Sequence, residues 1–219
     1  ETWPTHRIGI VQPNETPNDK IPPPTAGYSY TYPPELAFSE SIMAWSSKQD
    51  KNIDFIIWPE TRYKGYFRYP LIENSFTRAI NNLGVPVIFQ DVEQLQDKNA
   101  KATYSTVLHI DGNGKKINSY HKIKRVPFGE YVPLINESDS VKRWLGQYFG
   151  EFYSDLSSGE AYNFFTLAAK PPVNLQSTQT QVSNDETGTN LIPLICYEVM
   201  FPDFVAKAVA NAPSNHAKI

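Results

Sequence analysis

The chain has 219 residues, a formal net charge of -3 and 20% charged residues. That length is ample for a hydrophobic core, and the charge lacks the basic excess that a phosphate-rich partner requires, so nucleic acid is not an expected partner. Its apolar runs are of strand length, well short of the ~20 residues that cross a bilayer. The single cysteine, Cys196, cannot form an intrachain disulfide and is left as a free thiol.

In chain order, His6 to Gln12 reads as a first strand. A loop rich in proline and tyrosine follows from Pro13 to Pro34. That loop is either a surface spacer or, with Tyr28, Tyr30 and Tyr32, a rim beside a site. Glu35 to Gln49 carries Leu36, Phe38, Ile42, Met43 and Trp45 at helical spacing and predicts an amphipathic helix. Ile53 to Trp58 is a buried strand stopped by Pro59, and Glu60 follows at once. Glu73 to Leu83 predicts a helix closed by Gly84, with Val85 to Phe89 as the next strand.

Thr103 to Ile110 and Lys115 to Tyr120 flank Asp111-Gly-Asn-Gly114 and predict a hairpin, whose second strand runs straight into His121 and Lys122. Val141 to Phe149 predicts a short helix and Tyr162 to Leu167 a strand. Residues 171–190 are polar and predict a mobile insertion loop. Leu191 to Ile195 is an apolar run of strand length ending at Cys196, and Pro202 to Ala212 has helical period. Strands alternating with helices, plus one hairpin, predict a single α/β (α+β layered) domain over residues 1–219 with mixed sheets. The start at Glu1 and the end after the last helix predict a portion of a longer protein.

A lone cysteine is more often an inert core residue than a nucleophile. Cys196, however, ends a strand and precedes a helix, so its thiol is expected at the sheet edge near unpaired N–H groups that favour a thiolate. Glu60 and Lys122 also stand at strand exits, the edge where α/β folds build sites. His6, His109, His121 and His216 have no metal-ligand spacing, and the chain has no phosphate loop, Gly-x-Gly-x-x-Gly or Gly-x-Ser-x-Gly element. No metal or cofactor is expected.

Trp58-Pro-Glu60, Tyr120-His-Lys122 and Cys196-Tyr-Glu198 with Phe201-Pro202 resemble the Glu–Lys–Cys motifs of the nitrilase, or carbon–nitrogen hydrolase, superfamily. Val126-Pro-Phe-Gly-Glu-Tyr-Val-Pro-Leu134 and Ile195-Cys-Tyr-Glu-Val-Met-Phe-Pro202 are most similar to the apolipoprotein N-acyltransferase family. Glu198 and Met200 stand where amidases more often carry Asp and Arg. The resemblance spans about Ile8 to Ala212 and implies a nitrilase-like α-β-β-α sandwich. It also implies Cys196 as nucleophile, Glu60 as general base and Lys122 as oxyanion stabiliser, with Glu130, Tyr197 and Glu198 in support. The implied reaction moves a fatty acyl chain from a phospholipid, through a cysteine thioester, to the N-terminal amine of a diacylglyceryl-modified apolipoprotein. The implied setting is the bacterial inner membrane, with the catalytic domain on the periplasmic side. Tyr63, Tyr66 and Phe67, beside Glu60, are expected in a lid that meets lipid. The competing readings are a soluble amidase of the same superfamily and an inactive lipid- or lipoprotein-binding module.

Overall fold

A computed structural model describes residues 5–13, 32–60, 65–97, 100–131, 156–167 and 189–213, with 140 and 147 as single positions. Five strands, β1 (Ile8–Ile10), β2 (Phe55–Ile57), β3 (Val87–Asp97), β4 (Ala100–Ile110) and β5 (Lys116–His121), lie side by side in chain order. β1, β2 and β3 are parallel because a helix crosses over between each pair, α1 (Pro34–Lys48) and then α2 (Pro70–Leu83). β3, β4 and β5 are joined as antiparallel hairpins. The second hairpin turns on Asp111, whose Oδ1 accepts from the N–H groups of Asn113 (2.9 Å) and Lys115 (2.8 Å).

Both crossover helices, and α3 (Pro202–Asn211), begin on a proline, which loses nothing at a position whose N–H has no helical partner. Gly84 closes α2 at φ 69°, a left-handed conformation that glycine adopts without strain. α1 and α2 cover one face of the sheet, with Leu36, Ile72, Phe76 and Ile80 against Ile56, Val87 and Phe89. On the other face Phe55, Ile88 and Tyr120 meet Phe165, Leu167 and Ile195. A two-stranded antiparallel sheet, β6 (Phe165–Leu167) with β7 (Thr189–Leu191), supplies part of that second layer. β2 reads as an unbroken apolar run because both of its faces are buried. The result is the layered α/β arrangement with a mixed sheet.

Several details differ from the sequence reading. β3 does not stop at Phe89 but runs to Asp97, pairing with β4 from Val87↔Ile110 out to Asp97↔Ala100. The strand expected over Leu191 to Ile195 is instead Thr189–Leu191, since Pro193 cannot donate to a ladder. Asn190, expected in a loop, lies in that strand. α1 buries Leu36 fully but leaves Phe38 44% and Trp45 50% exposed, so its apolar positions do not form one buried stripe. The helix expected over 141–149, most of the loop expected over 171–190, and Tyr28, Tyr30 and Tyr63 lie outside the described residues. Among the described residues no helix is long and apolar enough to cross a membrane.

Candidate active site

β2, β3 and β5 point the same way, so their C-terminal ends share one edge of the sheet. Glu60 leaves that edge three residues after β2, and Lys122 one residue after β5. Cys196 comes to the same place from the other layer, at the first position of a short 3-10 turn, Cys196–Met200. The Cys196 backbone has φ 49°, a left-handed conformation unusual for a non-glycine residue, and its side chain is exposed. A sharp, strained turn of this kind presents the thiol outward from the end of an extended segment.

The charged groups meet around that thiol. Glu60 shares a hydrogen bond with Cys196 and interacts electrostatically with Lys122, Glu130 and Glu198. Burial raises the Glu60 pKa above the ordinary carboxylate value; Glu130 and Glu198 push the same way, against the Lys122 cation and the thiol hydrogen bond. Although its side chain reaches solvent, partial desolvation raises the Cys196 pKa too, with Glu60 adding to it and Lys122 and the Tyr197 N–H opposing. The expectation that helix-start N–H groups would favour a thiolate is therefore corrected. The Tyr197 N–H does favour the anion, but desolvation and the neighbouring carboxylate outweigh it. A thiol hydrogen-bonded to a carboxyl is a nucleophile and a base placed to work as a pair.

Lys122 is 1% exposed, and its Nζ donates to Glu130 Oε1 at 2.7 Å. The other Glu130 oxygen accepts from the Val126 N–H at 2.8 Å, and its carbonyl accepts from the Leu156 N–H at 2.9 Å. The Lys122 backbone is pinned on both sides: its N–H donates to Ser105 O and its carbonyl accepts from Gly159 N–H. Position 159 must be glycine for this contact, because a Cβ there would overlap the His121 carbonyl.

Glu198 is fully buried and ties the two halves together. Its Oε1 accepts from Tyr120 OH (2.7 Å), Ile123 N–H (2.7 Å) and Lys124 N–H (2.9 Å). Its Oε2 accepts from the N–H of Ile195 at 2.8 Å. One carboxyl thus holds the residue before Cys196 and the two residues after Lys122. The Tyr120 phenol is held above its ordinary pKa by burial and by that hydrogen bond. The Tyr197 ring packs edge-on against Phe201, with centroids 4.8 Å apart.

The expected lid is corrected for Tyr66. It is 4% exposed and packs among Trp58, Phe76 and Phe89 in the core, where it cannot meet lipid. Phe67 packs against the same core and carries Lys116 Nζ 5.2 Å from its ring centre. Asp91 holds this region in place: it is 1% exposed and accepts from the N–H groups of Tyr66 (2.6 Å) and Gly65 (3.4 Å). Asp91 and Gly159 escaped the sequence reading, and Tyr120 was read only as part of the Tyr120-His-Lys122 motif, without its bond to Glu198. Asp91 gave no local sign, because the strand read from the sequence stopped at Phe89. Among the described residues no cluster of histidine, cysteine and carboxylate side chains is grouped to hold a metal.

A buried lysine, a carboxyl of raised pKa and an exposed thiol on a strained turn meet at the shared edge of a layered α/β fold, and that fold is the one found in nitrilase-superfamily structures. Solved structures agree: a mutant of the amidase from Nesterenkonia sp. AN1, with acrylamide added at its active-site cysteine, matches 95% of this chain and 64% of its own at 16% identity and TM-score 0.52. The C-to-A mutant of the same amidase gives the same TM-score over 94% of this chain. Within that superfamily the chain is a relative of the apolipoprotein N-acyltransferases. It is 31% identical over 173 residues to that of Pseudomonas paraeruginosa, covering 76% of this chain. It is also 31% identical over 166 residues to that of Rhizobium rhizogenes. It spans 28% and 27% of the lengths of those two relatives. No family model matches the chain.

Proposed function

We propose that this chain is the acyl-transferring part of an apolipoprotein N-acyltransferase, with Cys196 as nucleophile, Glu60 as base and Lys122 as oxyanion stabiliser. The observation that carries this reading is the hydrogen bond between Glu60 and the Cys196 thiol beside the buried Lys122–Glu130 pair. In the first half-reaction Sγ attacks the ester carbonyl carbon of a phospholipid while Glu60 takes the thiol proton. The carbonyl π electrons move to oxygen, where the Lys122 ammonium opposes the developing charge. Collapse of the tetrahedral species breaks the C–O bond. Glu60 returns the proton to the departing alkoxide, leaving a thioester and a lysophospholipid alcohol.

In the second half-reaction the N-terminal amine of an apolipoprotein attacks the thioester carbon. Glu60 takes a proton from nitrogen, the C–S bond breaks, and the thiol is reprotonated as the amide leaves. Ester and amine become alcohol and amide, with no cofactor consumed. The acceptor and donor place the whole protein at a bacterial membrane, on its extracytoplasmic side. Glu130, Tyr197 and Glu198 position the three reacting groups.

The test is intact mass spectrometry of the chain after exposure to a p-nitrophenyl acyl ester, beside Cys196→Ser and Glu60→Gln. A thiol-labile acyl adduct on the wild type, absent from Cys196→Ser and formed at least 100-fold more slowly by Glu60→Gln, is the expected result. A folded wild-type chain that gains no adduct defeats the reading. The amidase likeness favours transfer to water instead, and release of free acid with no amide when an amine is supplied would select that outcome.

A further inference from the structure

A separate pocket of about 320 Å³ lies beside the groups that serve the reaction centre, and three segments wall it. Lys124 comes from the chain leaving β5 just after Lys122, Tyr162 from the stretch ahead of β6, and Asp203 and Lys207 from the first two turns of α3. Phe201 and Phe204 add aromatic walls.

Two ammonium groups against one carboxylate leave the pocket with a positive excess, and among the described residues none of the three makes an ion pair. All three side chains reach solvent. The Lys124 ammonium is nevertheless held in place, with Nζ 5.8 Å from the ring centres of both Phe201 and Phe204. Ring faces attract a cation without cancelling its charge. Tyr162 packs on Phe204 with centroids 5.3 Å apart, and its hydroxyl has no hydrogen-bond partner among the described residues.

We infer that this pocket binds a phosphate ester anion. The phospholipid donor of the reading proposed above is the source that brings such a group to this place, and to that extent the assignment rests on that reading. Ammonium groups from two distant parts of the chain, joined by a phenol, offer several donors to one ligand, and a phosphate has the several acceptor oxygens to meet them. The volume stands at the lower end of the ~300–1,000 Å³ range of ligand pockets, room for a headgroup and not for a whole lipid. Its walls are also parts of the catalytic frame. The Lys124 N–H donates to Glu198 Oε1, the Phe201 N–H donates to the Glu198 carbonyl at 3.2 Å, and the Phe201 ring rests on Tyr197, next to the nucleophile. A phosphate seated there fixes the unreactive end of the donor beside the frame that carries Cys196 and Lys122, which orients its ester for attack.

The test is binding, read by phosphorus NMR line broadening, of dihexanoyl phosphatidylglycerol and separately of inorganic phosphate. The chain is the full 219 residues carrying Cys196→Ser, so that no acyl transfer intervenes. Lys124→Gln and Lys207→Gln are each expected to weaken binding about two- to fivefold, the worth of one exposed charge pair, and Asp203→Asn to tighten it about twofold. All are exposed positions, and circular dichroism confirms that each variant is folded. Opposite signs from neighbouring side chains are a result that a merely structural role does not produce. Added sodium chloride is expected to shrink the differences.

The same order with inorganic phosphate supports the site and assigns recognition to the phosphate itself, whereas that order with the lipid alone supports it and assigns recognition to the lipid headgroup. Equal affinity in every variant, weaker binding in Asp203→Asn as well, or no binding of either probe overturns the assignment. Acylation is read apart from this. A chain with its cysteine intact that gains no adduct from p-nitrophenyl acetate defeats the acyl-enzyme reading, and the phosphate site still stands or falls on the order of the three variants.

Discussion

Glu60 is a carboxyl whose charged form is costly where it sits, because burial raises its pKa and two further carboxylates push the same way. The folded state therefore holds the Glu60 proton more tightly than the unfolded chain does. Stability from this residue is present in full below the ordinary carboxylate range and is lost as pH rises through the raised folded value. Glu60→Gln cannot ionise and escapes that loss. It is expected to melt higher than the wild type at pH 7, by about 2–4 °C for each kcal/mol relieved, and at the same temperature near pH 3. Equal melting at both pH values would show that the buried charge costs nothing. Adduct formation should follow the opposite course, since only the carboxylate can take the thiol proton. Its rate is expected to rise with pH to a midpoint above the ordinary carboxylate value of 4.5.

The strain at Cys196 belongs to the same scale. With φ at 49°, any L side chain is held off its preferred backbone basin, at a cost of about 1–3 kcal/mol. Cys196→Gly and Cys196→Ala both remove the thiol, but only glycine removes the strain. Cys196→Gly is expected to be the more stable of the two by about 1 kcal/mol in urea unfolding. The order reverses if the left-handed turn is not a constraint. The identity of this residue was legible in the sequence, as the one cysteine at the end of an apolar run. Its raised pKa was not, because that depends first on desolvation in the folded chain and then on a carboxylate 136 positions earlier that arrives only through folding.

At the scale of elements, the site depends on how the β5 exit is fastened to the turn that carries the nucleophile. Glu198 makes that fastening through three backbone N–H groups, at Ile123, Lys124 and Ile195. Leaving a buried donor unpaired costs about 1–3 kcal/mol, so Glu198→Ala is expected to lose at least about 3 kcal/mol of stability. Glu198→Gln keeps one acceptor oxygen but presents an amide N–H to one of the donors. It should lose less stability while still slowing adduct formation more than tenfold, because the two reacting segments are no longer held in register. A Glu198→Gln chain acylated at the wild-type rate would show that the tie is structural only. Glu198 was singled out by its place two residues after the cysteine, but its partners were not. The Tyr120, Ile123 and Lys124 contacts lie more than 70 residues away in sequence.

The same contrast runs through the secondary structure. The helix ends at Gly84 and the turn at Asp111–Gly114 were readable because local backbone chemistry fixes them. Both crossover helices were placed short at their starts although Pro34 and Pro70 stand at the first helical position, a signal present in the sequence. The outer half of β3 was not readable by the same means. Gln94 to Gln96 is exposed and offers no core-facing pattern, and only pairing with β4 makes it a strand.

For the whole molecule, the first strand presents a different problem from the site. β1 is the edge of the five-stranded sheet, three residues long, with Ile8 42% and Ile10 71% exposed. Phe38 and Trp45 of α1 join both isoleucines in lining one groove, so among the described residues the patch combines a sheet edge with large apolar side chains. An edge strand of this kind is normally blunted by charge, proline or cover, and among the described residues the groove has only Arg7 and Lys51 as charged members. Water in contact with such a surface favours association of chains through it. The 219-residue chain is therefore expected to self-associate as its concentration rises, and Ile10→Lys should reduce light scattering at a given concentration severalfold. Because Ile10 is exposed and does not line the cavity that Glu60 lines, the substitution should leave adduct formation on Cys196 within twofold of the wild type. If Ile10→Lys scatters as strongly as the wild type, association runs through another surface. If it also loses the adduct, the β1 edge supports the site through the sheet, since β1 is the only described strand paired to the outer side of β2, from which Glu60 departs.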